Sequence, residues 1–261
     1  MLRSALRRAR LWLAPEYVTR DGVRLPPPHL RFCGPEFKDD GYFLASARGE
    51  AARLVGECGL TPASRVLDVG CGPGRLAIGI LDRVGRVAEY RGIDVHRPSI
   101  EWCDRHLGRS DPPFRFQLVD VRNARYNPEG ADLASTIRLP VADGRFDIAY
   151  LYSVFSHMLP PDVRGYLREI HRLLAPGGIL FFTAFVEEGV PDVSENPDGY
   201  VQSWLGPLHC VRYQRGYLEG MLGDAGFETV RFVYGRETNG QSAVYARRSD
   251  ERARGAAAPE G

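Results

Sequence analysis

The sequence predicts an α/β fold in which a doubly wound, mostly parallel sheet carries helices on both faces. A buried strand leads into a glycine-rich turn and then into a helix within residues 65–81. Downstream, short apolar segments alternate with segments of helical periodicity, as expected for parallel strands joined by crossover helices. Near the end, two strand-like segments flank residues 237–240, whose Asn-Gly pair favours an antiparallel hairpin.

The individual elements follow from periodicity and from the turn residues that bound them. A leading helix is predicted near residues 46–58, and later helices near 75–81, 163–174 and 214–225. Five strands are expected near residues 65–69, 89–94, 115–120, 146–152 and 179–185. A sixth strand contains residues 232–234 and a seventh covers 242–247. The prediction is therefore a seven-stranded sheet with an antiparallel pair at one edge.

Two segments lie outside the predicted sheet and set the domain boundaries. Residues 1–42 form an N-terminal arm, and residues 43–248 form the main domain, within which residues 186–212 are an insert. The small, charged residues 249–261 are expected to be disordered.

The arm and the insert differ in composition. Residues 20–35 of the arm are proline-rich and should be extended. The insert is rich in Glu, Pro and Gly but also holds Tyr200, Trp204 and His209. Aromatic residues in a long insertion favour a lid over the substrate rather than a disordered loop.

Composition limits the function classes. The chain has 261 residues, 34 basic against 33 acidic side chains and a net charge of +1, so no overall field favours nucleic acid. No apolar run reaches the length of a membrane span. The five cysteines have no metal-binding spacing, and their odd number favours a reduced, cytoplasmic chain. They are Cys33, Cys58, Cys71, Cys103 and Cys210.

Residues 1–15 allow three interpretations. They contain four arginines and no acid, interleaved with leucine and Trp12, as in a basic helix that lies on an anionic membrane. An organelle transit peptide is a weaker match because the segment has one serine. A docked or frayed helix with a solvated face is the interpretation we favour.

The turn at Gly70, Gly72 and Gly74 is the most informative stretch. Glycine adopts backbone torsions closed to other residues and lets a ligand approach the main chain. The turn opens onto a helix N-terminus with free amides, which is the nucleotide-site geometry of doubly wound sheets. A dinucleotide would need a third glycine where Arg75 stands. Asp68, at the strand end, would repel a pyrophosphate but suits an ammonium group.

On these residues the chain resembles the class I S-adenosylmethionine-dependent methyltransferases. Their first motif, an acidic residue followed by three alternating glycines, is matched by Asp68, Gly70, Gly72 and Gly74. The turn of residues 174–178 before an apolar strand is another hallmark. The resemblance implies a Rossmann-like seven-stranded methyltransferase sheet with an antiparallel edge hairpin, S-adenosyl-L-methionine as cofactor, and lid segments over the site.

The resemblance also implies cofactor-binding residues at the ends of successive strands. Asp94 ends the second strand at the spacing of a ribose-binding acid, with a helix N-cap as the alternative. Val95 would form an apolar wall for the adenine. Asp120 would accept from the adenine amino group, and the backbone of Val121 would contact the ring. Cys71 lies within the glycine turn, and Ser153 leaves the fourth strand where ligands bind.

A narrower resemblance concerns the acceptor. The stretches 92–94, 100–103, 114–117, 126–128 and 153–159 are similar to a bacterial group of small methyltransferases, many of them associated with glycan assembly. This implies a small-molecule or glycan acceptor.

His157 is the predicted catalytic residue. Methyl transfer to an alcohol calls for a general base, and histidine has a suitable ordinary pKa. His157 lies five residues beyond the fourth strand, at the rim where an acceptor must sit. A capping or packing histidine is the alternative, and His209 in the insert is a second candidate base.

Missing motifs narrow the chemistry further. Amino-group methylases resemble one another in an N/D-P-P-Y motif after the fourth strand, where this chain has residues 151–154, Leu-Tyr-Ser-Val. Metal-dependent enzymes need clustered oxygen ligands there, so no metal is expected. Oxygen methylation is therefore predicted. The alternatives are a membrane-peripheral lipid methyltransferase and a non-catalytic cofactor-binding partner; the oligomeric state stays open.

Overall fold

The structure, a computed structural model, describes residues 15–131, 138–139 and 141–249. The predictions for the basic segment 1–15 and the tail 249–261 fall, apart from one residue each, outside the described residues. Within the described ranges, no helix is long and apolar enough to cross a bilayer.

The described elements alternate strand and helix as predicted. The strands are β1 (Val18–Arg20), β2 (Val23–Leu25), β3 (Arg65–Val69), β4 (Glu89–Asp94), β5 (Arg115–Leu118), β6 (Phe146–Leu151), β7 (Leu174–Glu187), β8 (Val193–Glu195), β9 (Val211–Gln214), β10 (Phe227–Val233) and β11 (Ser242–Arg248). The helices are α1 (Asp40–Cys58), α2 (Arg75–Arg83), α3 (Arg97–His106), α4 (Pro160–Leu173) and α5 (Arg215–Asp224).

Seven strands form the continuous sheet in the order β10-β11-β7-β6-β3-β4-β5. Strands β3 to β7 pair in parallel, and β11 is antiparallel to both β7 and β10. The chain runs outward from β3 to β5 and then returns to β6 on the other side of β3. This reversal places a crevice at the carboxyl ends of β3 and β6, where ligands bind in open α/β sheets. The predicted Rossmann-like sheet with its edge hairpin is confirmed.

Alternation along the strands divides the core between the two faces of the sheet. On β3, Val66 packs into the cluster that contains α1, α2 and α3, whereas Leu67 packs into the cluster with α4 and α5. Helices α1 and α2 cross closely at Gly79, where an added Cβ would lie 1.9 Å from the carbonyl oxygen of Ala47. Helices therefore cover both faces, as predicted.

The leading helix starts earlier than predicted. α1 begins at Asp40 rather than near Ser46. The side chain of Asp39 accepts a hydrogen bond from the backbone N–H of Tyr42 at 2.7 Å, which caps the free amides of the first turn.

The insert also differs from the prediction, because it joins the sheet. β9 pairs in parallel with the last residues of β7, and β8 pairs antiparallel with β9. The larger sheet thus has nine strands.

The arm is only partly extended. β1 and β2 form a hairpin, and two short 3₁₀ turns follow at Pro28–Leu30 and Pro35–Lys38. Between them the side chain of Arg31 is fully buried. Its guanidinium donates to the carbonyl of Pro26 at 2.9 Å and to the carboxylate of Asp40 at 2.6 Å. These bonds fix the arm to the start of α1 and hold residues 32–35 over the crevice.

Candidate active site

The glycine turn has the backbone that the sequence predicts. Gly70 and Gly74 adopt φ angles of 73° and 79°, in the left-handed region that favours glycine. A Cβ on Gly70 would lie 2.5 Å from Cγ2 of Val154, and one on Gly74 would lie 2.5 Å from Cδ1 of Leu107. The turn therefore needs glycine for both torsion and space.

The amides of the glycine turn itself are paired within the protein. The N–H groups of Gly70 and Cys71 donate to the carbonyl of Ile93 at 2.8 and 3.0 Å. The N–H of Gly72 donates to Asp94 at 2.7 Å, and that of Gly74 donates to Cys71. A phosphate cradle needs unpaired amides, so the turn is unsuited to a pyrophosphate.

Asp68 carries an unpartnered carboxylate oxygen. Its side chain is buried at the end of β3 and lines the cavity described below. Oδ2 accepts a hydrogen bond from the hydroxyl of Tyr90, whereas Oδ1 is buried without any partner in the described structure. Burial raises the pKa of this carboxyl to about 7, against the opposing effects of Tyr90 and Arg75. A buried acceptor without a donor is costly and indicates an absent ligand.

Asp94 braces the glycine turn. Oδ2 accepts from the N–H of Gly72 and Oδ1 from the N–H of His96, each at 2.7 Å. Burial raises the pKa of this carboxyl although both backbone bonds lower it. Each oxygen accepts one bond and keeps a second lone pair for a ligand hydroxyl.

These groups surround one cavity of about 440 Å³ at the carboxyl ends of the strands. The arm contributes residues 32–35, and the insert contributes Gln202, Trp204 and His209. Of the predicted site residues, nine line it: Asp68, Gly70, Cys71, Gly72, Asp94, Val95, Val121, Ser153 and His157. Two of the three aromatic insert residues also line it, while Tyr200 packs on Phe185.

Two predicted cofactor residues lie outside the cavity lining. Gly74 is the N-cap of α2 and shapes the turn from behind. Asp120 is exposed, two residues beyond the end of β5, and accepts a hydrogen bond from the side chain of Asn127 at 3.1 Å. Neither residue is brought to the cavity wall. The contact of Asp120 with adenine stays a prediction.

His157 is held by the insert. It ends a 3₁₀ turn after β6, and its Nδ1 lies 2.9 Å from the carbonyl oxygen of Leu208. A carbonyl can only accept, so Nδ1 carries the proton and Nε2 keeps its lone pair. Burial lowers the pKa of this imidazole to about 4, below the ordinary value assumed from the sequence. His157 is therefore neutral near pH 7.

Ser153 occupies a strained position at the end of β6. Its φ of 58° lies in the left-handed region that a non-glycine residue rarely adopts. Its N–H donates to Oγ1 of Thr183 at 2.8 Å, and its Oγ accepts from the side-chain amide of Gln241 at 2.9 Å. Such strain persists only where the surroundings enforce it, and it often marks a functional site.

Arg75 lines the cavity, although the sequence analysis did not predict it as a site residue. There it served only to exclude a dinucleotide-binding motif. Its side chain is buried, and its guanidinium donates to Oγ of Ser46 at 2.6 Å. It also lies 4.2 Å from the ring centroid of Tyr152 and 3.9 Å from the carboxylate of Glu50. Its position directly after Gly74 was the sequence feature that could have predicted it as a cavity residue.

Among the described residues, no group of three or more His, Cys, Asp or Glu side chains could hold a metal ion. The expectation of metal-free chemistry stays a prediction.

Comparison with known proteins agrees with the fold. The methyltransferase domain family matches residues 67–182. The chain is 35% identical over 138 residues to arsenite methyltransferase from Aquipseudomonas alcaligenes, covering 51% of this chain and 37% of that protein. It is 29% identical over 204 residues to the O-methyltransferase cnsE from Penicillium expansum, covering 73% and 64%. The chain therefore spans less than two thirds of either relative.

A solved structure gives the same fold. The Burkholderia thailandensis 1,6-didemethyltoxoflavin-N1-methyltransferase, solved with bound 1,6-didemethyltoxoflavin and S-adenosylhomocysteine, superposes with a TM-score of 0.55 at 21% identity, covering 79% of this chain and 80% of that one. The family match, the sheet order and the glycine turn agree with one another. Residues 67–182 form a methyltransferase domain with the class I fold.

The residues around this cavity fit S-adenosylmethionine, the cofactor of class I methyltransferases. The unpartnered Oδ1 of Asp68 suits an ammonium group. The turn without free amides suits a ligand without phosphate. Asp94 has lone pairs left for two hydroxyls.

Proposed function

We propose that this methyltransferase transfers the methyl group of S-adenosylmethionine to an oxygen atom of a small molecule or of a glycan. One observation carries the proposal. A single cavity joins the unpartnered carboxylate oxygen of Asp68 to a neutral His157 whose Nδ1 donates to the carbonyl of Leu208, which leaves the lone pair on Nε2. The first group suits an ammonium donor and the second suits a hydroxyl donor.

The cofactor half of the cavity is assigned by hydrogen-bonding capacity. Asp68 would accept from the ammonium of the methionine end, and Asp94 from the ribose hydroxyls. Val95 would form an apolar wall for the adenine and the backbone of Val121 would contact the ring. Gly70, Cys71, Gly72 and Gly74 would shape the turn beneath the cofactor. Ser153, held in its strained backbone by Thr183 and Gln241, would lie beside the methionine end.

His157 would act on the acceptor. When bound, S-adenosylmethionine supplies a methyl group already activated on a sulfonium, so the protein mainly aligns the acceptor and excludes water. Nε2 of His157 would accept the proton of the acceptor hydroxyl. A group with a pKa of about 4 is a weak base toward an alcohol at rest. It becomes adequate as the oxygen forms its new bond to carbon, because the hydroxyl proton then turns strongly acidic.

The arm and the insert would exclude water. Phe32 of the arm and Trp204 of the insert both line the cavity, and Leu208 of the insert fixes the ring of His157. The insert therefore couples closure of the cavity to the orientation of the base. In this proposal the lid segments are residues 1–42 and 186–212, and the methyltransferase domain covers residues 43–248.

The proposal is tested with S-adenosylmethionine labelled with ¹³C on the methyl group. The full chain is incubated with a small-molecule extract and with a glycan extract, and the labelled products are identified by NMR and mass spectrometry. We expect label on oxygen, one S-adenosylhomocysteine formed per methyl transferred, and the same rate in EDTA. Label on nitrogen or carbon would refute oxygen transfer, and a rate restored only by magnesium would refute metal-free chemistry.

Two alternatives predict other outcomes. A non-catalytic cofactor-binding partner would show binding without turnover on any extract. A membrane-peripheral lipid methyltransferase would label lipids, and deletion of residues 1–15 would abolish flotation with anionic liposomes. A cytoplasmic enzyme acting on small molecules requires neither result.

A further inference from the structure

Arg125 places a positive charge in the acceptor half of the cavity. Its guanidinium carbon lies 5.5 Å from the ring centroid of Tyr126, and one terminal nitrogen lies 3.5 Å from the carbonyl oxygen of Leu205. Its Nε is buried and has no hydrogen-bond partner. Within the described ranges, no carboxylate forms a salt bridge with it. A buried guanidinium donor without an acceptor costs free energy that an anionic ligand would recover.

The surroundings locate this charge near the proposed base. Arg125, His157 and His209 line the same cavity, and the Tyr126 ring beneath the guanidinium contacts His157. Burial lowers the pKa of both imidazoles, and the charge of Arg125 lowers it further. The carboxyl of Asp68 instead responds to Arg75, Asp94 and Glu50. Arg75 contacts Tyr150, which pairs with Asp68 in the sheet, so Arg75 lies on the Asp68 side of the cavity and Arg125 on the His157 side.

Aromatic rings line the same end. Trp204 contacts Phe185 and His209, each at a centroid distance of 5.1 Å. Tyr126 contacts the edge of His157 at 5.4 Å. Trp204, Phe185 and Tyr126 all line the cavity, and aromatic walls favour a flat apolar ligand.

We propose that Arg125 binds a carboxylate on the methyl acceptor, and that the acceptor is a hydroxylated aromatic carboxylic acid. The ring lies between the aromatic side chains, its carboxylate pairs with Arg125, and its hydroxyl faces Nε2 of His157. This inference rests on the proposed oxygen transfer, because it names the acceptor of that reaction.

The test measures binding rather than turnover, so that it can fail separately from the proposed function. Hydroxybenzoates, hydroxycinnamates and their primary amides are titrated calorimetrically into the full chain saturated with S-adenosylhomocysteine. We expect at least one acid to bind about tenfold or more tightly than its amide, because a charge-assisted bond contributes roughly 1.5–3 kcal/mol. No binding by any acid, or equal binding of acid and amide, would overturn the proposal.

Three variants test whether Arg125 causes the preference for acid over amide. Arg125→Gln should remove the preference for acid over amide, and Arg125→Lys should keep part of it. Arg115→Gln, at an exposed position on β5 outside the cavity lining, should change nothing. All three should bind S-adenosylhomocysteine as the wild type does, which also shows that they fold. A preference that survives in Arg125→Gln would contradict the proposal, as would a loss of S-adenosylhomocysteine affinity, which would place Arg125 on the cofactor.

Discussion

The hydroxyl of Tyr90 on β4 donates a hydrogen bond to one carboxylate oxygen of Asp68 on the adjacent strand β3. The Tyr90 ring is fully buried and stacks on Phe114 at a centroid distance of 4.5 Å. This arrangement turns Asp68 so that one oxygen is satisfied inside the sheet and the other has no partner. The strand pair therefore presents a carboxylate with one open position to the cavity.

Tyr90→Phe tests this relationship. Removing the hydroxyl leaves both oxygens of Asp68 unpaired, so the pKa of Asp68 should rise further above its already raised value of about 7. A bond to a charged group contributes roughly 1.5–3 kcal/mol, or about one to two pKa units. Calorimetry at pH 7 should show S-adenosylhomocysteine affinity about tenfold weaker, with a smaller loss at pH 8. An equal loss at both pH values would point to a packing defect instead.

Asp94→Ala should weaken S-adenosylhomocysteine binding by about tenfold or more, because it removes two charge-assisted bonds to the ribose. The same change also frees the N–H groups of Gly72 and His96. Thermal melting of the unliganded protein separates the two effects. Unchanged affinity would show that Asp94 only braces the turn.

His157→Ala should lower turnover by about 10²–10⁴, the usual contribution of a positioned base, without changing cofactor affinity. Titration of His157 should cause no change in the wild-type rate between pH 5 and 9. A base is active when unprotonated, and a pKa lowered to about 4 keeps it so throughout that range. A rate that rises through an ionisation near pH 6.5, absent in the variant, would contradict the buried neutral imidazole.

Gly79→Ala should destabilise the protein by about 1–3 kcal/mol, because its Cβ would overlap the carbonyl of Ala47 where α1 and α2 cross. Gly56→Ala is the matched control, since its Cβ would meet open space on α1. It should stabilise the helix by about 0.5–1 kcal/mol. Urea unfolding of both variants measures the difference, and similar values would mean that the helices can separate at little cost.

The sequence predicted the central strands closely because their apolar runs are continuous and bounded by turns. β3 and β4 occupy the predicted residues 65–69 and 89–94. β9 was missed because Val211–Gln214 alternates polar and apolar residues within a segment of loop-like composition. It forms only because the end of β7 offers a pairing edge, which is a contact distant in sequence.

Site residues that belong to one short motif could be predicted from the sequence. Features that depend on contacts between distant segments could not. Asp68 and the turn glycines belong to one short motif. The paired state of the turn amides depends on Ile93 and Asp94 of the next strand. The tautomer of His157 depends on Leu208, 51 residues away. Burial is the main cause of the pKa shifts of Asp68 and His157. The burial of a given side chain cannot be read from the sequence.

The pH dependence of S-adenosylhomocysteine binding to wild type and Asp68→Asn tests the central claim most directly. Wild-type affinity should fall as pH drops below about 7, because Asp68 is protonated there and loses its charge. Affinity should also fall above about pH 8, where the ligand's amino group loses its proton. Asp68→Asn should bind about tenfold or more weakly at pH 7.5 and lack the acidic decline. Equal affinity in both proteins with the same acidic decline would contradict the assignment of this cavity.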